Sequence, residues 1–137
     1  MKVLVMYVDE FGYRPAQKNI DEAEEITEGA TFNDAILAFI QVEESDETYD
    51  VKSREKKLVN HLKWTARKNN CKKIILHSFA HLSESKASVK FTQELFDEAE
   101  KRLQNADFET AQTPFGYFLD LSLKAPGYSL ARIWASL

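Results

Sequence analysis

The sequence is poor in the residues that build several common kinds of functional site. It contains one cysteine, Cys71, which excludes a disulfide framework or a cysteine-rich zinc site within the chain. Its four glycines form neither of the glycine-rich patterns that cradle nucleotide phosphates. No apolar run approaches the length of a membrane span, and the opening MKVLVMYVDEF lacks a signal-peptide pattern. These absences predict a soluble, cytoplasmic protein without a membrane partner or a bound nucleotide cofactor.

Charge is distributed unevenly along the chain. The net charge of −4 gives no overall case for binding nucleic acid. Residues 9–50 carry thirteen carboxylates against two basic side chains, whereas residues 52–73 carry nine of the eighteen lysines and arginines. Such a basic cluster is either a solvated helix face or a surface that meets RNA phosphates, and the sequence alone favours the solvated face.

Hydrophobic patterning predicts an α/β fold in which a mixed β-sheet of about five strands has two long helices covering one face. A turn at Gly12 is expected to lead the first strand into an antiparallel partner. The predicted strands are residues 2–8, the second half of 34–43, 72–77, 107–112 and 118–124. The predicted helices are residues 51–69 and a segment from Ser85 or Ser88 to about residue 105, and residues 128–137 form a short helix or strand. The whole chain, residues 1–137, is predicted to be one domain.

Apolar residues mark one face on each of two predicted elements. The second helix is expected to bury Val89, Phe91, Leu95, Phe96, Ala99 and Leu103. The last predicted strand alternates, with Leu119, Leu121 and Leu123 on one face.

Two loops are expected to face each other and form one pocket. The pattern of residues 73–83 (KIILHSFAHLS) predicts a buried strand, a polar and aromatic turn, and then the start of a helix. Unpaired backbone N–H groups at such a junction favour ligand binding. Residues 113–118 (TPFGYF) have a similar character, because proline and glycine punctuate a run of aromatic side chains before a strand.

Few side chains in these loops suggest catalysis by themselves. His77 and His81 lie four positions apart, but no HExxH pattern or further ligand accompanies them, so we expect no metal. His77 is expected to be structural and His81 to line the pocket. Cys71 lacks the setting of a reactive thiol. Of Phe115 and Tyr117, at least one is expected in the core, and the other is free to stack on a base or wall off a small ligand.

Four stretches of the chain, in order, resemble the archaeal threonyl-tRNA synthetase editing domain. KVLVMYVDEFGY (2–13) and AILAFIQVEESDE (35–47) are similar to the family's opening strand and to its LVAFISVE strand. FAHLS (79–83) and TPFGYF (113–118) are similar to its FAHLSS and APFGYYK motifs. The resemblance therefore spans nearly the whole chain.

The resemblance implies a fold like that of D-aminoacyl-tRNA deacylase, a homodimer, and hydrolysis of mischarged L-seryl-tRNA(Thr). Such editing is needed because a site that activates threonine cannot reject serine well enough by binding alone. In the family the reaction is metal-free and substrate-assisted: a ribose hydroxyl of the terminal adenosine helps to activate the attacking water. The implied partners are the serine-carrying 3′ end of tRNA(Thr) and a threonyl-tRNA synthetase.

Carried over residue by residue, the resemblance assigns the place of the motif histidine to His81, the candidate catalytic residue. It assigns substrate binding to Val42, Phe79, Ala80, Pro114, Phe115, Gly116 and Tyr117. It implies no metal ligand.

Two departures from the family pattern leave the activity open. Phe118 and Leu119 stand where the family has tyrosine and lysine, and Arg132 aligns with its functional glutamate. The chain is thus either an aminoacyl-tRNA deacylase, a non-catalytic relative that binds aminoacyl-tRNA ends or a synthetase, or a hydrolase of another small ester. Because the sequence stops at Leu137, we expect a divergent freestanding copy or a piece excised from a synthetase.

Overall fold

The computed structural model describes all 137 residues as one six-stranded mixed sheet with two long helices. The elements are β1 (Lys2–Lys18), β2 (Ala30–Gln41), α1 (Val51–Lys68), β3 (Lys73–Ser78), α2 (Val89–Asn105), β4 (Glu109–Gln112), β5 (Tyr117–Lys124) and β6 (Arg132–Ser136), with short 3₁₀ helices at Glu44–Thr48 and Ser129–Ala131. The strand order is β4-β3-β2-β1-β5, and β6 also pairs with β1. β2, β3 and β4 run parallel, whereas β1 is antiparallel to each of its neighbours. The predicted mixed α/β fold is confirmed.

β1 is the longest strand, and it corrects the predicted turn at Gly12. The strand continues through Gly12, which pairs with Thr31 on one side and Ser122 on the other. Extended, its 17 residues would span roughly 55 Å. Lys2, near its start, pairs with Gln41, and Lys18, at its end, pairs with Tyr117. Since Gln41 and Tyr117 line the same cleft, the strand must curl strongly.

Both long helices begin and end where local sequence signals place them. Asp50 caps α1 by accepting a hydrogen bond from the Ser53 N–H, and Ser88 caps α2 through the Phe91 N–H. After α1, Asn70 adopts a positive φ of 49°, in the left-handed region that asparagine tolerates. Neither helix combines the length and apolar character needed to cross a membrane.

Apolar side chains form a cluster on each face of the sheet. In β3, Ile74 and Leu76 join the larger cluster, which packs beneath the two helices, while Ile75 joins the smaller cluster on the opposite face. Phe79 and Leu82, from the loop after β3, pack against the smaller cluster. The loop that carries the candidate site is therefore anchored in apolar core.

One prediction of burial is wrong. Val89 is 47% exposed because it is the first residue of α2 and borders the cleft, although Leu95, Phe96, Ala99 and Leu103 are buried as predicted. The strand predicted at residues 118–124 is present as β5, an edge strand that pairs only with β1. Leu121 and Leu123, on the face that the alternation marks, are 39% and 40% exposed.

Candidate functional site

A cleft of about 530 Å³ lies between the loop after β3 and the loop before β5. The end of β2, the first turn of α2 and the start of β5 complete its walls. All eight residues predicted to form the site line it: Val42, Phe79, Ala80, His81, Pro114, Phe115, Gly116 and Tyr117. The two loops thus share one cleft, as the sequence predicts, while the role of each side chain stays a prediction.

Gln41, at the end of β2, fixes the first loop. Its side-chain oxygen accepts hydrogen bonds from the N–H groups of Leu82 (2.6 Å) and Ser83 (2.7 Å). Its amide nitrogen donates to the carbonyls of Ser83 (2.8 Å) and Ser85 (2.9 Å). Because Gln41 is only 3% exposed and all four bonds are made, one buried amide holds the loop in a single shape.

Backbone bonds fasten both ends of the same loop to β2 and the residue after it. The Phe79 N–H donates to the Ile40 carbonyl at 3.0 Å, and the Ala87 N–H donates to the Val42 carbonyl at 2.9 Å. The loop therefore leaves and rejoins the sheet at fixed points.

Glu43 ties the middle of this loop to the start of β1. It accepts hydrogen bonds from the Met1 amine (2.8 Å) and the Ser83 hydroxyl (2.7 Å). These bonds hold the pKa of the Glu43 carboxyl below its ordinary value, the bond from the amine contributing most. The carboxylate is thus engaged in supporting the loop.

The second loop turns at Gly116, where the backbone requires glycine. Its φ is +85°, and a Cβ there would lie 2.9 Å from the Cβ of Ala23 and 3.3 Å from that of Ile20. The Gly116 carbonyl also accepts a hydrogen bond from the Asn19 N–H at 2.9 Å. The turn therefore packs directly on the segment between β1 and β2.

Tyr117 holds the same segment through its hydroxyl. It donates to the Glu24 carbonyl at 2.6 Å and accepts from the Ile26 N–H at 3.0 Å. With both bonds made, Tyr117 offers the cleft its ring rather than its hydroxyl. Phe115 packs edge-on against Phe96 of α2, with ring centroids 6.4 Å apart.

The two histidines have different environments. His77 is buried, and its Nδ1 lies 2.8 Å from the Thr113 hydroxyl. Burial lowers the pKa of His77 to about 4, so the ring is neutral near pH 7. His81 is exposed, stands edge-on to Phe79 with centroids 4.9 Å apart, and hydrogen-bonds to no other group of the chain. His77 is held in place by burial and Thr113 although it borders the cleft, and its structural role stays a prediction. His81 is available to a ligand.

The cleft contains little charge. None of its lining residues is a carboxylate, and Lys86 is the only one with a fixed charge. The Lys86 side chain makes no ion pair or hydrogen bond, although its backbone lies between the Gln41-bound Ser85 and the sheet-bound Ala87. Sequence reasoning missed Lys86 and Gln41, and no local pattern marks either.

The two loops that border the cleft also carry free backbone donors. The N–H groups of Ala80, His81, Phe115 and Gly116 have no hydrogen-bond partner in the chain. No lining serine is hydrogen-bonded to a histidine, so the arrangement lacks a nucleophile paired with a base. It is suited to holding and polarising a carbonyl through backbone N–H groups.

The remaining candidate groups lie apart from this chemistry. Neither histidine belongs to a group of three side chains that could ligate a metal. Cys71 is buried, and burial raises the pKa of its thiol, which disfavours the reactive thiolate.

The positions that depart from the family pattern fall in different places. Leu119 lines the cleft, next to the 51% exposed Phe118. Arg132 lies outside it, on β6, where it donates to the carbonyls of Pro126 (3.0 Å) and Ala125 (3.5 Å). A charge at position 132 therefore acts on the turn before β6 rather than on the cleft.

Comparisons with known proteins agree with these features. The profile of a family described as the archaea-specific editing domain of threonyl-tRNA synthetase matches residues 1–137. A threonine–tRNA ligase of Nitrosopumilus maritimus is 30% identical over 134 residues, covering 96% of this chain and 21% of that protein. The corresponding ligase of Thermococcus onnurineus is 29% identical over 136 residues, covering 97% of this chain and 22% of that protein. The chain thus spans about a fifth of the length of these relatives.

A solved structure shows a related fold. The c-Myc DNA Unwinding Element Binding Protein superposes with a TM-score of 0.67, covering 100% of this chain and 99% of that chain at 10% identity. At this identity the likeness concerns the fold alone. The predicted fold, like that of D-aminoacyl-tRNA deacylase, is confirmed.

Proposed function

The chain belongs to the archaea-specific editing domains of threonyl-tRNA synthetase, a family of aminoacyl-tRNA editing, and we propose that it hydrolyses L-seryl-tRNA(Thr). Residues 1–137 act as one editing unit. The observation that carries the proposal is the shared cleft, in which the FAHLS and PFGY loops face each other on rigid supports. Both loops keep the residues by which the chain resembles the family.

The composition of the cleft supports a substrate-assisted, metal-free reaction. With no carboxylate and no nucleophile–base pair in the walls, the attacking water takes its activation from the ribose hydroxyl beside the ester. The free N–H groups of Ala80 and His81 are suited to stabilise the oxyanion that forms on the ester carbonyl. His81 then orients the substrate rather than removing a proton.

Rigidity supports discrimination between serine and threonine. The two amino acids differ by one methyl group, and accepting or refusing a methyl in a pocket changes binding by only about 1–3 kcal/mol. A wall that yields by a few tenths of an ångström would lose that difference. Val42, 4% exposed, is held by packing, and the first loop is held by its hydrogen bonds to Gln41, so both supply fixed walls.

The proposal extends to partners. The 3′ end of tRNA(Thr) enters the cleft, a threonyl-tRNA synthetase supplies the mischarged tRNA, and the reaction takes place in the cytoplasm. The chain acts as a homodimer through the edge strands β5 and β6. Exposed apolar side chains on these strands, outside the cleft, support this assembly: Leu123 and Trp134. A monomer mass by light scattering at high protein concentration would contradict it.

One experiment tests the activity. The protein is incubated separately with Ser-tRNA(Thr), Thr-tRNA(Thr) and a D-aminoacyl-tRNA, and the loss of each ester is followed against a protein-free control. We expect rapid loss of serine and little loss of threonine or of the D-amino acid. Preferential loss of the D-amino acid would contradict the serine assignment.

Leu119 favours a second candidate, a non-catalytic relative that binds aminoacyl-tRNA ends or a synthetase. An apolar side chain occupies the cleft where the family has a lysine, so a group able to order water or charge is missing there. This candidate predicts that Ser-tRNA(Thr) binds and is protected from spontaneous hydrolysis. The same incubation distinguishes the two, since one accelerates ester loss and the other slows it.

A further inference from the structure

We propose that one face of α1 binds the phosphate backbone of RNA, outside the cleft. The basic face consists of the cations Lys56, Lys57, Lys63, Arg67 and Lys68, together with Ser53, Asn60 and Trp64. These residues recur at the three- and four-residue spacing that places side chains on one side of a helix. The opposite side, which includes Leu58, Leu62 and Ala66, is buried against the core.

The cations of the basic face have no partners within the chain. None of the five forms a salt bridge or a hydrogen bond. The one acidic residue of α1, Glu55, is buried and bonded to Arg102 of α2. A helix face that only needed solvation would gain from glutamates four positions from its lysines, yet Lys63 and Arg67 repel each other at that spacing.

This pattern is local rather than a property of the protein. The chain as a whole carries 22 acidic and 18 basic residues. On α2, which packs beside α1, exposed Glu94, Asp97 and Glu98 accompany Lys101, and Glu98 pairs with Lys101 at 3.8 Å. A polyanionic partner therefore has one suitable helix face in this layer, and that face is α1.

The shape of the basic face favours RNA over an acidic protein. From Lys56 to Lys68 it extends about 18 Å along the helix axis, a length that follows several successive phosphates. Trp64, 45% exposed, lies among the cations and stacks on His61 with centroids 6.2 Å apart and an interplanar angle of 21°. An exposed aromatic ring between cations is the combination with which proteins hold single-stranded nucleotides.

The direction of α1 relates the basic face to the cleft. β2 ends at the cleft, and α1 then returns to the start of the parallel strand β3, so it must run away from the cleft end of the sheet. An RNA whose 3′ end lies in the cleft would meet α1 with the nucleotides that precede that end. This identification of the RNA as a tRNA acceptor end rests on the proposed function; the charge and geometry of the face do not.

Binding of an uncharged RNA hairpin ending in CCA tests the proposal without any catalysis. The dissociation constant is measured by fluorescence anisotropy at several salt concentrations for the protein and for Lys56→Gln/Lys63→Gln/Arg67→Gln. We expect at least tenfold weaker binding for this variant near 0.1 M salt, and a salt slope shallower by about 2 to 3, since each phosphate contact contributes up to roughly 0.9. The matched control, Lys90→Gln/Lys101→Gln/Lys124→Gln, removes the same charge from exposed sites elsewhere and should bind nearly as the parent protein does.

Three outcomes would overturn the proposal. Equal weakening in both triple variants would mean that only net charge matters. An unchanged dissociation constant and an unchanged salt slope in the α1 variant would mean that α1 does not contact RNA. Binding of polyglutamate as tightly as of the hairpin, at equal salt, would assign the face to an acidic protein. If the α1 variant alone loses RNA binding while the parent protein deacylates no tRNA, the proposed function fails and this inference stands.

Discussion

The cleft and the basic face of α1 show opposite uses of charge in one small protein. The cleft has Lys86 as its only fixed charge and relies on backbone N–H groups and aromatic rings. The basic face concentrates five cations and exposes no carboxylate. In the functions proposed above, placing an ester and attracting a polyanion belong to different surfaces. Changes in the cleft should therefore alter the rate at saturating substrate, and changes on α1 should alter binding and its dependence on salt.

The largest effect should come from changing the substrate rather than the cleft. A seryl-tRNA whose terminal adenosine lacks the hydroxyl beside the ester should be cleaved about a thousandfold more slowly, because the cleft contains no side-chain base to replace it. The measurement is single-turnover deacylation, with binding of the deoxy substrate as the control. Normal cleavage of the deoxy substrate would show that the protein supplies the base.

Removing the buried amide of the first loop should have the next largest effect. Gln41→Leu leaves two N–H groups and two carbonyls without their partner, so the free energy of unfolding should fall by about 2 kcal/mol. The rate at saturating substrate should fall as well, while RNA binding through α1 should not change. Urea unfolding and the hairpin assay provide these measurements, with the exposed Gln104→Leu as the control. A fully stable Gln41→Leu protein would contradict the support assigned to this side chain.

Acid should weaken the cleft through His77. Its pKa is about 4 in the folded protein and about 6.5 when unfolded, so between these values the unfolded chain binds the extra proton. Stability therefore falls as the pH is lowered, by roughly 1.5 to 2 kcal/mol between pH 7 and pH 5. His77→Gln should reduce this loss when urea unfolding is compared at the two pH values. An identical loss in the variant would place the titrating group elsewhere.

His81→Ala should slow deacylation only about tenfold, because the substitution removes positioning rather than a general base. His81→Phe keeps a ring against Phe79 and separates packing from imidazole chemistry. The measurement is the rate at saturating Ser-tRNA(Thr). Complete loss of turnover in His81→Ala, together with normal cleavage of the deoxy substrate, would make His81 the base.

The smallest effect should come from Lys86, the one residue of the cleft that carries a positive charge like those of the basic face. Lys86→Ala should raise KM about threefold and leave kcat nearly unchanged, since one exposed cation at the cleft attracts a phosphate but does not touch the ester. Lys90→Ala, with the same charge change on α2, is the control. A large fall in kcat would instead place Lys86 in the chemistry and reduce the contrast between cleft and basic face.

The sequence predicted those parts of the fold that local signals determine. Asp50 and Ser88 mark the helix starts because a capping side chain bonds to N–H groups only three positions away. The turn at Gly12 was wrong because a glycine suggests a bend locally, whereas here strands on both sides hold it extended. Alternation showed that Leu121 and Leu123 share a face but could not show whether anything covers that face, and both are partly exposed.

In the candidate site, too, the sequence predicted what depends on local signals and missed what depends on distant contacts. The two loops were found because their motifs are contiguous in sequence. Gln41 was not predicted because its four hydrogen bonds reach residues about forty positions away. A glutamine at the end of a strand belongs to no sequence motif that would mark such a role. Arg132 was aligned with a functional position, yet the chain places it at the start of β6, outside the cleft, a placement that only the paired strands determine.

The curl of β1 makes the cleft a late product of folding. β1 pairs with β2 across about forty positions or fewer, but the end of β1 that borders the cleft also pairs with Tyr117, about a hundred positions away. Pairings so distant in sequence form slowly, because the chain loses the entropy of closing a long loop before the stabilising contacts form. During synthesis, a ribosome must release the chain through β5 before the second loop can approach the first. A copy synthesised only as far as β4 therefore has the first loop but not the complete cleft.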